Sequence, residues 1–234
     1  MVPASPVVVV SASAILNSMT EDPATEPDRE RRAAARRRRL VIVAGHAGRV
    51  DRSRLGLADH SPEVQAAAAV ALARAGALTV ADVTWALGAG STQLRRSAVE
   101  SALEVRGPGS RSTLLALMIE ALDDPDPLVV VGAAWFLAER RVSSAVAPLA
   151  AVVGDHDDAR CREAAVAALG AIGDPTGLPA VLGALDDKPT IRRRATVALA
   201  AFDGPRVDAA LRAAAADRDW QVRQAAEELL ADEQ

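Results

Sequence analysis

The residue type in this chain most able to do chemistry is arginine. Four stand in one run, Arg36, Arg37, Arg38 and Arg39, and shorter groups recur at Arg95 with Arg96 and at Arg192, Arg193 and Arg194. A guanidinium is a planar fork of N–H donors that matches phosphate and carboxylate oxygens. Such groups therefore suit a phosphate backbone, an acidic partner, or carboxylates of the protein itself. Covalent and metal chemistry finds less to work with. The three histidines, His46, His60 and His156, are far apart, and none belongs to a His-Glu-x-x-His pair. The single cysteine, Cys161, excludes an intramolecular disulfide framework and a zinc ribbon, and fits a reducing cytoplasm. His156 stands among Asp155, Asp157 and Asp158, but neighbours in one turn rarely converge on an ion and the spacing matches no EF-hand loop. The expectation is no catalytic residue, no metal and no cofactor.

Charge is unevenly spread. Residues 1–28 carry four acids and no base, residues 29–54 carry ten Arg against Glu30 and Asp51, and residues 55–234 carry 17 bases against 25 acids, giving −4, +8 and −8. The basic block would attract phosphate or an acidic surface, or wrap the solvated side of a first helix. The N-terminal apolar run, residues 6–10, is far short of the roughly 20 residues of a membrane span. No Lys or Arg precedes it to supply a secretory n-region. Residues 1–28 have Pro3, Pro6, Pro23 and Pro27 with Ser, Thr and acids, and read as a disordered tail. Met19 offers an alternative start to Met1.

The elements that must position the arginines are helices. Of 234 residues 53 are Ala and none is Tyr, a composition that favours closely spaced helices over a sandwich or barrel. A frame repeats: an aliphatic anchor, Arg, two variable residues, Ala, three variable residues, Leu. It is clear at Cys161–Leu169, Ile191–Leu199 and Val222–Leu230, and extends upstream to anchors 129, 94, 64 and, imperfectly, Arg36. The spacings are 28, 30, 35, 32, 30 and 31 residues. Anchor, anchor plus four and anchor plus eight share one helical stripe. Ser61, Ser91, Asp126, Asp158 and Asp219 precede the anchors as N-caps, with Lys188 the exception. Gly76, Gly107, Gly173 and Gly204 follow the stripe as stops. A shorter apolar segment fills the rest of each period, so the unit is two helices, and such units are stable only when stacked.

The turn Asp123-Asp-Pro-Asp-Pro-Leu-Val129, and Asp155-His-Asp-Asp-Ala-Arg-Cys-Arg162 followed by the alanine-rich run to Asp174, resemble short HEAT repeats of the phycobilin-lyase-like class. The resemblance implies an all-α fold, a right-handed α-solenoid of about six two-helix repeats over residues 29–234 with a leading N-terminal helix. It puts the pairs at 51–75, 79–106, 110–140, 143–172, 175–202 and 205–231, and the lone helix at about 28–44. It also implies that the second helix of each pair lines the concave side. The 35-residue interval should lengthen a turn or helix around residues 107–113. Relatives of this fold include bilin lyases and deoxyhypusine hydroxylase, but the His-Glu pairs that hold iron in the latter are missing here.

For the arginine one past the anchor, Arg95, Arg162, Arg192 and Arg223, the resemblance implies a structural ladder to turn acids of a neighbouring unit, with Asp124, Asp157, Asp187 and Asp217 available. Ligand recognition is the alternative. Gln65 and Val130 should interrupt that ladder. Arg96 and Arg193 share one frame position and mark a candidate basic face for a partner. Trp135 either fills a wide gap beside the insertion, together with Phe136, or projects as an apolar anchor. Trp85 reads as core, and Trp220 as packing back on the preceding unit. The function expected is a monomeric, noncatalytic, cytoplasmic scaffold binding a protein or peptide on its concave face. The alternatives are nucleic-acid binding through Arg36, Arg37, Arg38 and Arg39, and an enzyme of the same fold.

Overall fold

The computed structural model describes residues 25–107 and 110–232, and among them every regular element is helical. A leading helix α1 (Glu26–His46) is followed by six pairs. These are α2 (Val50–Leu57) with α3 (Pro62–Arg74), α4 (Val80–Leu87) with α5 (Thr92–Ser101), and α6 (Ser110–Glu120) with α7 (Pro127–Glu139). Then come α8 (Val146–Asp155) with α9 (Ala159–Ile172), α10 (Leu178–Gly183) with α11 (Pro189–Ala198), and α12 (Pro205–Ala214) with α13 (Trp220–Asp232). The fold is the α-solenoid that the periodicity predicts. Helix α1 begins three residues before the expected boundary at 29, and the rest of the expected tail lies outside the described residues.

The frame fixes the packing. Every anchor of the six pairs, Val64, Leu94, Val129, Cys161, Ile191 and Val222, is buried, as is the residue four later, Ala68, Ala98, Ala133, Ala165, Ala195 or Ala226. Small residues at plus four let the two helices of a pair meet closely: a Cβ added at Gly56 of α2 would stand 2.9 Å from the Ala68 Cβ. Burial of this kind stabilises by about 25 cal/mol per Å². The core is continuous from Ala34 to Leu211, with a small cluster of Ala214, Val222 and Ala226 closing the C-terminal end.

The two layers of helices differ in spacing. At two junctions the second helices approach backbone to backbone. A Cβ at Gly45 of α1 would meet Ala71 of α3 at 2.6 Å, and one at Gly170 of α9 would meet Ala198 of α11 at 2.7 Å. Successive first helices leave open clefts instead. The cleft between α8 and α10, lined by Ala150, Val153, Ala180 and Gly183, measures about 620 Å³, and that between α6 and α8, lined by Ile119, Leu122, Pro148 and Ala151, about 610 Å³. A stack that is tight on one layer and splayed on the other curves towards the tight one. The second helices therefore form the concave side.

Caps and stops follow the chemistry of their residues. Asp126, Asp158 and Asp219 accept from backbone N–H groups of the first turns of α7, α9 and α13, and Ser91 accepts from Leu94. Ser61 starts α3 without a side-chain cap, where Pro62 already removes one orphan donor. Gly76, Gly107, Gly173 and Gly204 all take positive φ, and Arg141 takes the same role after α7 at φ 47°. Helix α6 has 11 residues, against eight in α2 and α4 and ten in α8 and α12.

Candidate functional site

The arginines divide into two sets according to the face they reach. The residue one past the anchor points along the turn edge towards the following unit. Arg95 donates to both carboxylate oxygens of Asp124 at 2.7 and 3.1 Å, Arg162 to Asp187 at 2.7 and 2.9 Å, and Arg192 to Asp217 at 2.8 Å twice. Each also donates to a carbonyl of its own turn, Ala89, His156 with Asp157, or Asp187. Arg223 stands in the last unit and donates only to carbonyls, those of Asp217 and Arg218. The Asp157 carboxylate, counted among the acids available, has no arginine partner among these pairs. Hydrogen bonds from Arg162 and Arg192 hold Asp187 and Asp217 below the usual carboxylate range.

Arg37 belongs to this set. One past the imperfect anchor at 36, it donates to Asp59 at 2.8 Å and to Glu30 at 2.9 Å. The run of four arginines is thus not one patch: Arg37 is turned into the turn edge, Arg38 lines a groove on the concave side, and Arg36 lies on the anchor stripe. Reading the 36–39 block as a single basic surface fails because consecutive helical residues are about 100° apart. Gln65 cannot reach across to another unit and donates to its own turn at Asp59 O, 2.6 Å. Arg54 of α2 makes the link there, bonding Asp82 of α4 and the Ala77 carbonyl.

The second set lies two and six positions past the anchor, about 200° around the helix from it, and so faces away from the first layer. Along the stack these positions read Arg38 and Ile42, Ala66 and Val70, Arg96 and Glu100, Val131 and Trp135, Glu163 and Ala167, Arg193 and Val197, Gln224 and Glu228. Trp135 is 50% exposed and Val197 46%, large values for apolar side chains on ordered helices. The aromatic pair therefore splits: Phe136 is buried, with the Arg140 guanidinium 5.7 Å from its ring centre, and Trp135 projects. Near the N-terminal end the same face holds a groove of about 220 Å³ floored by Ile42, Ala66, Ala67 and Val70 and rimmed by Arg38, Glu63 and Arg74.

Arg96 and Arg193, expected together, differ. Arg193 is exposed on the concave face. Arg96 grips the α7 cap, donating to Asp126 at 2.8 and 2.5 Å, and thereby holds the Asp126 carboxyl below its ordinary value. Neither Trp85 nor Trp220 is core; both are largely exposed, since α4 and α13 present those positions outward. The His156 Nδ1 accepts from the Asp158 N–H at 3.0 Å. Burial pushes the Cys161 thiol up to about 11, and its Sγ lies 3.4 Å from the Pro127 carbonyl, so it acts as a core anchor and not as a nucleophile.

Known families decide what this stack is. The family profile described as HEAT repeats matches residues 114–190 and 162–231, which together span half of the chain. The chain is a HEAT-repeat protein. Compared with the curated proteins, its sequence has no match. Among solved structures the HEAT-repeat stack is similar to a designed armadillo repeat protein in complex with the peptide (KR)4, at TM-score 0.58 and 17% identity over 79% of this chain and 98% of that one. It is similar also to computationally designed armadillo repeat proteins for modular peptide recognition, at TM-score 0.56 and 18% identity over 79% of this chain and 98% of that one. At such identities the likeness concerns the fold. No helix of the described residues is long and apolar enough to cross a membrane.

Proposed function

We propose that this HEAT-repeat protein is a noncatalytic scaffold that holds an extended protein or peptide segment along its concave face. The observation that carries the reading is the exposure of Trp135 and Val197 at the same frame position on α7 and α11. Successive second helices are about 8–10 Å apart, so these two residues stand roughly 20 Å from each other. An extended segment covers that distance with about six residues. Tryptophan at the centre of a groove is the side chain most often found to dominate binding. The peptide complex of the designed armadillo protein supports the reading by showing what a stack of this shape accommodates. The short units resemble the phycobilin-lyase-like class, and a monomer in a reducing cytoplasm fits the lone buried Cys161.

Nucleic-acid binding is the weaker reading. Phosphate contacts need a contiguous basic surface, whereas Arg37 and Arg96 are both committed to carboxylates and Arg36 and Arg38 face different ways. The test is selection from a displayed peptide library on the intact protein, followed by titration of the enriched peptides. Trp135→Ala should weaken them by about ten-fold or more, and Val197→Asp should weaken them as well, with the melting curve unchanged. Enriched peptides indifferent to both changes would sink the concave site, and binding of a labelled DNA duplex that is lost with Arg38→Glu would favour the other reading.

A further inference from the structure

Helix α1 is half of a repeat. Its close contact identifies its register: Gly45 meets Ala71 of α3 as Gly170 meets Ala198 of α11, each glycine nine residues past an anchor. The α1 anchor is therefore Arg36, and the positions four and seven later are Leu40 and Val43. In the pairs these positions are covered; in α3 and α11 they are Ala68, Ala71, Ala195 and Ala198, all buried. In α1, Leu40 is 53% and Val43 62% exposed. Arg36, Leu40 and Val43 form an i, i+4, i+7 stripe that no described residue covers. The rest of α1 is seated normally, with Val41, Ala44 and Gly45 buried.

We propose that residues 7–16 of this same chain cover the stripe. In every pair the covering helix comes just before the second helix in sequence, and here 24 residues precede Thr25 at the head of α1. Residues 7–16 are Val-Val-Val-Val-Ser-Ala-Ser-Ala-Ile-Leu, uncharged and rich in the large aliphatic side chains that Leu40 and Val43 need. Reach is sufficient. Leu40 and Val43 lie about 21 and 26 Å along the helix from Glu26 at 1.5 Å per residue, and the nine residues 17–25 extend to about 30 Å. Charge agrees too: the connection carries Glu21 and Asp22, and Arg36 heads the stripe with Arg39 next to Leu40 in sequence.

The experiment is thiol labelling of the full chain with a maleimide, using Leu40→Cys and, separately, Val43→Cys as reporters. Each is compared with a companion that also carries Val8→Asp and Ile15→Asp. Cys161 is buried and reports any opening of the fold in the same reaction. The expected result is labelling about five-fold slower in the parent than in the companion, since protected sites react only through local opening, while Cys161 stays unreactive in both. Equal rates in parent and companion would overturn the proposal. Protection that rises with protein concentration and survives the two aspartates would also overturn it, assigning the stripe to a second copy of the chain.

Discussion

Val130 and His156 occupy the two ends of one inter-unit rung from which both charges are missing. Elsewhere the arginine one past the anchor meets an acid four or five residues before the next anchor: Arg37 with Asp59, Arg95 with Asp124, Arg162 with Asp187, Arg192 with Asp217. At the third pair the arginine position is the buried Val130, and the acid position is His156. His156 keeps the local half of the acid's task, for its Nδ1 accepts from the Asp158 N–H as Asp124 accepts from Asp126 and Asp217 from Asp219. Gln65 and Ala89 show the same coupled replacement two rungs earlier, on the other side of the Arg95–Asp124 pair. The pattern follows from electrostatics, because a guanidinium left without its carboxylate in a desolvated site is costly, whereas removing both partners is nearly neutral.

That coupling can be measured. Val130→Arg alone buries an unpaired cation and should cost about 3 kcal/mol. His156→Asp alone adds a carboxylate beside three others and should cost about 1 kcal/mol. The double variant should recover about 1–2 kcal/mol relative to the sum, read as a double-mutant cycle in urea. Strict additivity would show that the rung cannot be rebuilt.

Arg192 is the most deeply placed of the rung arginines, at 4% exposure, and Asp217 is its bidentate partner. Asp217→Ala should destabilise by about 3 kcal/mol, whereas Arg223→Ala, which loses hydrogen bonds to carbonyls only, should cost about 1 kcal/mol. Thermal melts order the two; a larger loss for Arg223 would contradict the geometry.

The concave arginines should separate in the same assay. Arg96→Glu places an anion against Asp126 and loses a cap partner of α7, so it should lower the melting temperature by several degrees. Arg193→Glu, on an exposed position, should stay within about 0.5 kcal/mol. The reverse outcome would place Arg193, and not Arg96, in the inter-unit network.

What the sequence revealed and what it hid have physical reasons. Anchor, plus-four and plus-eight residues are legible because burial against the partner helix demands the same small or aliphatic side chain in every unit, as Cys161, Ala165 and Leu169 do. Arg96 misleads because two-past-anchor is a solvent position in principle, and only the three-dimensional placement of Asp126 converts it to a clamp. Trp85 misleads because tryptophan in an alanine-rich chain suggests core, while α4 contributes only one buried stripe, Val83 and Ala86. The acid end of the rungs carried a signal in its distance before the anchor, at 59, 124 and 217; counting by that distance points to His156 instead of Asp157.

Arg141 gives a prediction of opposite sign. It ends α7 with φ 47°, the left-handed conformation that Gly76 and Gly173 adopt at equivalent places. A non-glycine residue there is held against its preference by about 1 kcal/mol. Arg141 is exposed, so Arg141→Gly should raise stability by about 0.5–1 kcal/mol. A destabilised Arg141→Gly protein would mean that the side chain packs or pairs in a way its exposure denies.

Acid should unfold the stack through its rungs. Hydrogen bonds from Arg96, Arg162 and Arg192 hold Asp126, Asp187 and Asp217 below the usual carboxylate range, and Arg160 brings Asp158 to about 2. A carboxylate whose folded value is depressed contributes stability that is present in full above its unfolded value and is lost as pH falls through the folded one. The melting temperature should therefore hold steady from pH 8 to about 5 and drop progressively below about pH 4. The Asp187 and Asp217 pairs are largely desolvated, so the drop should persist at high salt, where exposed pairs are screened. Replacing Arg192 by Met and Asp217 by Leu together removes one depressed carboxylate and should make the acid limb shallower. An acid limb identical to that of the parent protein would show that the loss of stability arises elsewhere than in the rungs.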